Sequence, residues 1–216
     1  MAAAGMKIIA LAQSKGGASK STTAIHLACE AIYAGEAAAI IDMDEGQQSS
    51  KKWANRRGTG IPEVVVTRPG ENFLNKEIRR LRMAGTRWVF IDLPGRDAPV
   101  SSAGIVAADL VLIPTRPTTI DFEASVTTVQ SAVRAGKRYC YLVSSVQPQG
   151  NKSRGRQFQA ALEMLRPPQP VCPVSIGQRV EIADAIAGGK SVREINPGGE
   201  AVREFEDLFR WLKGVV

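Results

Sequence analysis

The sequence predicts an α/β fold, a twisted parallel sheet with helices on both faces. Three observations carry that expectation. Short apolar runs alternate along the chain with longer segments of helical periodicity, the pattern of strands joined by crossover helices. A glycine-bearing turn sits directly between the first apolar run and the first helix. Residues with chemistry to offer follow three of the apolar runs, at the carboxyl ends where open α/β sheets collect ligands.

In chain order, Lys7–Ala12 is the first strand, and the apolar helix Ser21–Tyr33 follows its glycine turn. Ala37–Ile41 is a strand ending at Asp42, with a helix over Gln48–Arg56. The valine run in Glu63–Thr67 makes a third strand, followed by a helix over Phe73–Ala84. Trp88–Ile91 runs into Asp92, and Ala98–Ala107 is its helix. Leu110–Ile113 precedes a helix over Phe122–Ala135, for which Thr119 or Asp121 is a cap. Arg138–Ser144 is a sixth strand, with Gln147–Lys152 as a Pro- and Gly-bearing loop at its end. A helix over Ser153–Leu165 stops at the stiff Arg166–Pro170, and Val171–Ser175 reads as a seventh strand. Helices over Arg179–Ala187 and Glu200–Leu212 complete the chain, the last with Phe205, Leu208, Phe209 and Leu212 on one core-facing side. At 216 residues and 44% hydrophobic, without repeats or a long linker, residues 1–216 suit a single domain.

The turn reads Gln13-Ser14-Lys15-Gly16-Gly17-Ala18-Ser19-Lys20-Ser21-Thr22. A strand, a glycine turn, Lys-Ser and a helix point a row of backbone N–H groups and a helix N-terminus at one spot, which cradles a polyphosphate. Lys20 reaches the β/γ-phosphates and the Ser21 hydroxyl completes a Mg²⁺ shell. Lys15, ahead of the two glycines, is a second lysine that an ordinary P-loop lacks. Lys-Gly-Gly-x-x-Lys-Ser resembles the deviant Walker A box of the ParA/MinD family of ATPases, closest to the small ParF-like partition proteins. The resemblance implies ATP and Mg²⁺ as cofactors, residues Lys15 to Thr22 (Lys15, Gly16, Gly17, Ala18, Ser19, Lys20, Ser21, Thr22) on the nucleotide, and Lys15 reaching the nucleotide of a partner subunit. Family members usually carry Gly where this chain has Ser19. If that position needs positive φ, Ser costs on the order of 1 kcal/mol relative to Gly.

Trp88-Val89-Phe90-Ile91-Asp92 is an apolar strand ending in an aspartate that orients a Mg²⁺-bound water, and it reads as a Walker B. The following Leu93-Pro94-Gly95 resembles the family's switch segment, where Pro-Pro is usual. Asp42-Met43-Asp44-Glu45-Gly46-Gln47 resembles its Asp-x-Asp-x-x-Gln switch. There Asp42 supports the metal together with Ser21 and Asp92, and Asp44 positions the attacking water. Lys15, Lys20 and Asp44 are therefore the candidate catalytic groups. Leu112–Phe122 resembles the stretch beside the purine and the dimer seam.

Composition narrows the partners. The chain has 28 Lys plus Arg against 21 Asp plus Glu, a net charge of +7 that favours polyanions. No polybasic tail holds that excess, so a folded surface does. The segment from Val174 to Val192 resembles the ParA region that contacts DNA without sequence preference, with Arg179, Lys190, Arg193 and Arg203 as the matching cations. Three cysteines lack metal spacing and read as buried small residues, and the lone His26 reads as structural. No run reaches the roughly 18 apolar residues of a membrane span, and residues 1–5 are too short and uncharged for a leader, so a cytoplasmic location is expected. Balanced charges on the last helix argue against stable membrane attachment.

The resemblance thus implies a partition ATPase that forms an ATP-dependent sandwich homodimer and coats the nucleoid through non-specific duplex DNA. A ParB-type adaptor then stimulates slow hydrolysis. No helix-turn-helix precedes residue 6, so autorepression is not expected. The competing readings are a MinD-like membrane-associated positioning ATPase, an organelle or T-DNA positioning ATPase, and a metabolic P-loop ligase, which would have no use for Lys15.

Overall fold

A computed structural model describes residues 5–68, 70–95, 98–147, 156, 159–160, 162–164 and 169–216. Among these residues six strands form one sheet: β1 (Lys7–Leu11), β2 (Ala38–Asp42), β3 (Glu63–Val66), β4 (Trp88–Asp92), β5 (Leu110–Thr115) and β6 (Tyr139–Val143). Their order is β3-β2-β4-β1-β5-β6, and every pairing is parallel. The expected architecture is the observed one.

Helices cover both faces because side chains alternate along each strand. Ile9 and Leu11 point into one apolar cluster, Ile8 and Ala10 into the other. The first cluster is closed by α1 (Lys20–Tyr33), α2 (Ser49–Arg57), α6 (Val180–Ala187), α7 (Val192–Ile195) and α8 (Glu200–Val215). The second is closed by α3 (Glu71–Met83), α4 (Ala98–Ala107) and α5 (Thr119–Arg134). The α8 stripe of Phe205, Leu208, Phe209 and Leu212 lies in the first cluster, with Phe209 edge-on to Trp88 at 5.0 Å. Among the described residues no helix is long and apolar enough to cross a membrane.

Three local departures from the sequence expectation have physical reasons. Helix α5 starts at Thr119, three residues early, because the extended Thr118 is the cap and its hydroxyl accepts from the Asp121 N–H. Val171–Ser175 is no strand: it meets β6 only at Tyr141↔Val171, and the pairing then lapses. Pro173, whose ring fixes φ, diverts the segment so that the N–H of Ile176 reaches Val143 O, while that of Val174 turns to Cys172 Sγ. The short α7 was not anticipated, and it starts where Glu194 Oε2 accepts from the Ser191 N–H at 2.7 Å, one half of a capping box. Most of the expected helix Ser153–Leu165, of the Gln147–Lys152 loop and of Arg166–Pro170 lies outside the described residues; 156, 159–160 and 162–164 are helical.

Candidate functional site

Residues 12–19 carry the chain from the end of β1 to the start of α1. Gly17 takes φ 74° and Ser19 takes φ 65°, ψ 20°, so Ser19 occupies the left-handed conformation that glycine adopts without strain. Ser19 makes no side-chain cap, and the first turn of α1 contains no acid. The helix end therefore keeps its positive pole and its backbone donors for an anion. Lys20 lies at this end, buried, its Nζ 3.4 Å from Lys15 O. Burial lowers its pKa, against the opposing pull of Asp92 and Asp44. Gly95, past the end of β4, covers the same point: a Cβ there would lie 3.4 Å from Lys20 Nζ and 3.5 Å from Gly16 N.

The two strand-end aspartates are neighbours because β2 and β4 pair in register at Asp42↔Asp92. Asp42 is fully buried and accepts from the N–H groups of Asp44 and Lys51, each at 3.1 Å. Burial raises its pKa, and those two donors offset part of the rise. Asp92 accepts from Ser50 Oγ at 2.7 Å. Burial, and then the charge of Asp42, push its pKa up to about 7, with hydrogen bonds from Ser21 and Ser50 opposing. Two adjacent buried carboxyls beside a serine hydroxyl form a donor set that suits a hard divalent cation sharing its shell with phosphate oxygens. Among the described residues no cluster of three His, Cys, Asp or Glu could hold a metal without such help. Asp44 is half-exposed on the turn into α2, where its Oδ1 accepts from Gln47 N at 2.9 Å.

Lys15 points elsewhere. Its Nζ lies 3.2 Å from Asp121 Oδ1, and Arg116 Nη2 lies 3.1 Å from the same oxygen. Burial works against a charge on Asp121, but hydrogen bonds from Thr118, Arg116 and Lys15 outweigh it and hold the carboxyl below its ordinary range. Ser50, Ser145 and Gln178 were missed from sequence. Ser50 closes the contact between α2 and Asp92, and Ser145 and Gln178 line a cleft of about 380 Å³ beside Ser19 and Thr22. Ser145 follows the carboxyl end of β6, which was the available signal.

The four cations expected on DNA are placed differently from one another. Arg179 is held by Glu200 at 2.5 Å and Glu204 at 2.9 Å, and Arg193 by Glu30 at 2.5 Å and Glu206 at 3.3 Å. Lys190 and Arg203 are exposed, the latter donating to Gly198 O at 3.1 Å.

The parallel sheet and its strand–turn–helix form an architecture of P-loop type with a second lysine in the loop. The profile of the ATPase MipZ family matches residues 7–75. Over 118 residues, 54% of this chain and 51% of the relative, the sequence is 36% identical to protein ParA of Rhizobium radiobacter. Over 144 residues, 66% of this chain and 64% of the relative, it is 31% identical to the maintenance of carboxysome distribution protein A of Gloeobacter kilaueensis. The matches therefore span between half and two thirds of those relatives' lengths. The septum site-determining protein MinD of Pyrococcus horikoshii, solved with Mg-ADP, shares the fold at TM-score 0.76 and 13% identity, covering 96% of both chains. Over part of its length in sequence, and over nearly all of it in fold, the chain is similar to ParA/MinD-type proteins.

Proposed function

We propose that the chain binds MgATP at residues 15–22, pairs with a second copy across the nucleotides, and hydrolyses ATP slowly. The observation that carries this is the division of labour between two lysines: Lys20 buried at the helix end, Lys15 turned out to Asp121. Lys20 and the donors at the start of α1 hold the phosphates, and the cleft beside Thr22 takes the nucleoside. Ser21, Asp42 and Asp92 would hold Mg²⁺, which neutralises charge developing on the phosphates. Asp44 orients the attacking water, and Lys15, released from Asp121, reaches the partner's phosphates. Phosphoryl transfer asks little covalent chemistry of these groups, so their contribution is position and charge.

In the same proposal the ATP-bound dimer holds duplex DNA without sequence preference, sits on the nucleoid, and is released when a ParB-type adaptor stimulates hydrolysis. Similarity to a carboxysome distribution protein supports a protein organelle as an alternative cargo to a plasmid or chromosome.

Light scattering after gel filtration, with phosphate release measured on the same samples, tests the site. Wild type with MgATP should dimerise and turn over. Lys15→Ala should stay monomeric with ATP bound, and Asp44→Ala should persist as a dimer without turnover. Turnover by Asp44→Ala at the wild-type rate, or dimerisation of Lys15→Ala, overturns the assigned roles.

A further inference from the structure

The charge excess is confined to one part of the chain. Residues 49–87 contain ten of the 28 Lys and Arg and three of the 21 Asp and Glu, so this stretch alone carries the whole net +7 and the remainder balances to zero. Residues 176–216, which hold the cations expected on DNA, have six cations against seven carboxylates. Arg179 and Arg193 are paired within that balance.

The basic stretch is the β3 edge of the sheet. It comprises α2 on one face, the edge strand β3, and α3 on the other face. Leu74, Ile78 and Leu81 bury one side of α3 in the core, which turns the opposite side to solvent. Lys76, Arg79 and Arg82 recur at three-residue intervals there, all exposed, and none has a carboxylate partner among the described residues. They span six residues of helix, about 9 Å of its axis. Arg80 between them bonds Glu63 of β3 at 2.6 Å and Glu77 at 2.8 Å, which ties α3 to the edge strand and leaves the other three cations on a fixed support.

We propose that the exposed side of α3, through Lys76, Arg79 and Arg82, is a docking surface for the phosphate backbone of duplex nucleic acid. Fixed, exposed cations supply charge and reach, which is what sequence-independent backbone contact requires. An anionic bilayer fits less well, because Leu74, Ile78 and Leu81 are packed in the core, which leaves Phe73 and Met83, at opposite ends of α3, as the exposed apolar side chains for insertion. The proposal deepens the DNA-binding part of the function above and rests on it.

The test is fluorescence anisotropy of a random-sequence 30-base-pair duplex against wild type, Lys76→Gln/Arg79→Gln/Arg82→Gln, and Lys190→Gln/Arg203→Gln. Each is titrated with MgATP over a range of salt, with binding of a fluorescent ATP analogue as the control for folding. Removing three phosphate contacts from each protomer should flatten the slope of log K against log salt by about 2.7 where one protomer meets the duplex and about 5.4 where both do, and weaken binding by at least on the order of 100-fold at 0.1 M salt. A slope that flattens in Lys190→Gln/Arg203→Gln and not in the α3 variant returns the contact to the cations expected from sequence and overturns the proposal. Wild-type affinity and slope in the α3 variant overturn this surface while leaving DNA binding by the chain intact. No duplex binding by wild type overturns the underlying reading as well. Wild-type binding to phosphatidylserine vesicles but not to duplex, lost in the α3 variant, assigns the surface to a membrane and also refutes the proposal.

Discussion

Replacing His26 by Gln removes the chain's one histidine, and the structure fixes the sign and size of the effect on acid stability. The ring is fully buried, its Nδ1 is 2.8 Å from Thr22 O, and it stacks on Phe205 at 4.4 Å. Thr22 O only accepts, so Nδ1 carries the proton, and Nε2 is buried without a hydrogen-bond partner. A second proton would place a charge there with nothing to receive it. Burial accordingly lowers the pKa from 6.5 to about 4, with the Thr22 carbonyl and the charge of Glu194 recovering only part of the loss. The unfolded chain takes up this proton near 6.5 and the folded chain only near 4, so the stability is complete above 6.5 and is lost as pH falls through that window. The amount is on the order of 3 kcal/mol at about 1.4 kcal/mol per pH unit. Asp92 works with the opposite sign. Its pKa is raised from 3.8 to about 7, so its share of stability is present at low pH and lost as pH rises through that window. The two slopes overlap, and the profile of wild type alone conceals both. Urea melts of wild type and His26→Gln, compared at each pH, isolate the histidine. The variant should be the less stable near pH 7.5, where it lacks the stack on Phe205, and the gap should close by about 2 to 3 kcal/mol by pH 4.5. The single imidazole NMR resonance should titrate well below 6. A gap that does not change with pH, or a midpoint near 6.5 in the folded protein, refutes the reasoning.

Other expectations concern the backbone and Asp121. Ser19→Gly relieves the left-handed strain at φ 65° but gives up the 3.3 Å Ser19–Ser145 hydroxyl contact and gains unfolded-state freedom. A net rise in Tm of about 1 to 2 °C by calorimetry is expected, and a fall of that size would show that the strain is not felt. Gly189→Ala places a Cβ 2.5 Å from Arg57 N at φ 67° and should destabilise by about 2 to 4 kcal/mol in urea; a loss under about 0.5 kcal/mol contradicts the close packing of this segment on α2. Asp121→Ala leaves Lys15 and Arg116 without their carboxylate and should lower stability by about 1 to 3 kcal/mol at pH 7. That difference should shrink in acid, because the depressed Asp121 pKa makes its contribution one that is lost as pH falls.

What the sequence disclosed was mostly local. The phosphate loop is legible because its function depends on spacing within ten residues, and the strands because apolar runs buried on both faces have few other uses. The start of α5 was misread because Thr118, Thr119 and Asp121 are all competent caps, and only the extended backbone at Thr118 decides among them. The partner of Lys15 is Asp121, which the sheet brings beside it from across β5. The cations at 179 and 193 were legible as charges, but not as charges already met by Glu204 on α8 and Glu30 on α1. Those encounters are made by helix packing, and no spacing along the chain encodes them.

Every role proposed above depends on a polyphosphate held at the start of α1 by Lys20. Titration calorimetry of MgATP into wild type and Lys20→Ala measures that directly, with urea melts confirming that both are folded. Wild type should give a saturable isotherm and the variant an affinity at least about 100-fold weaker, since a buried charge on the phosphates is removed. Equal affinity in the two proteins, or no binding by wild type, would contradict that role of Lys20.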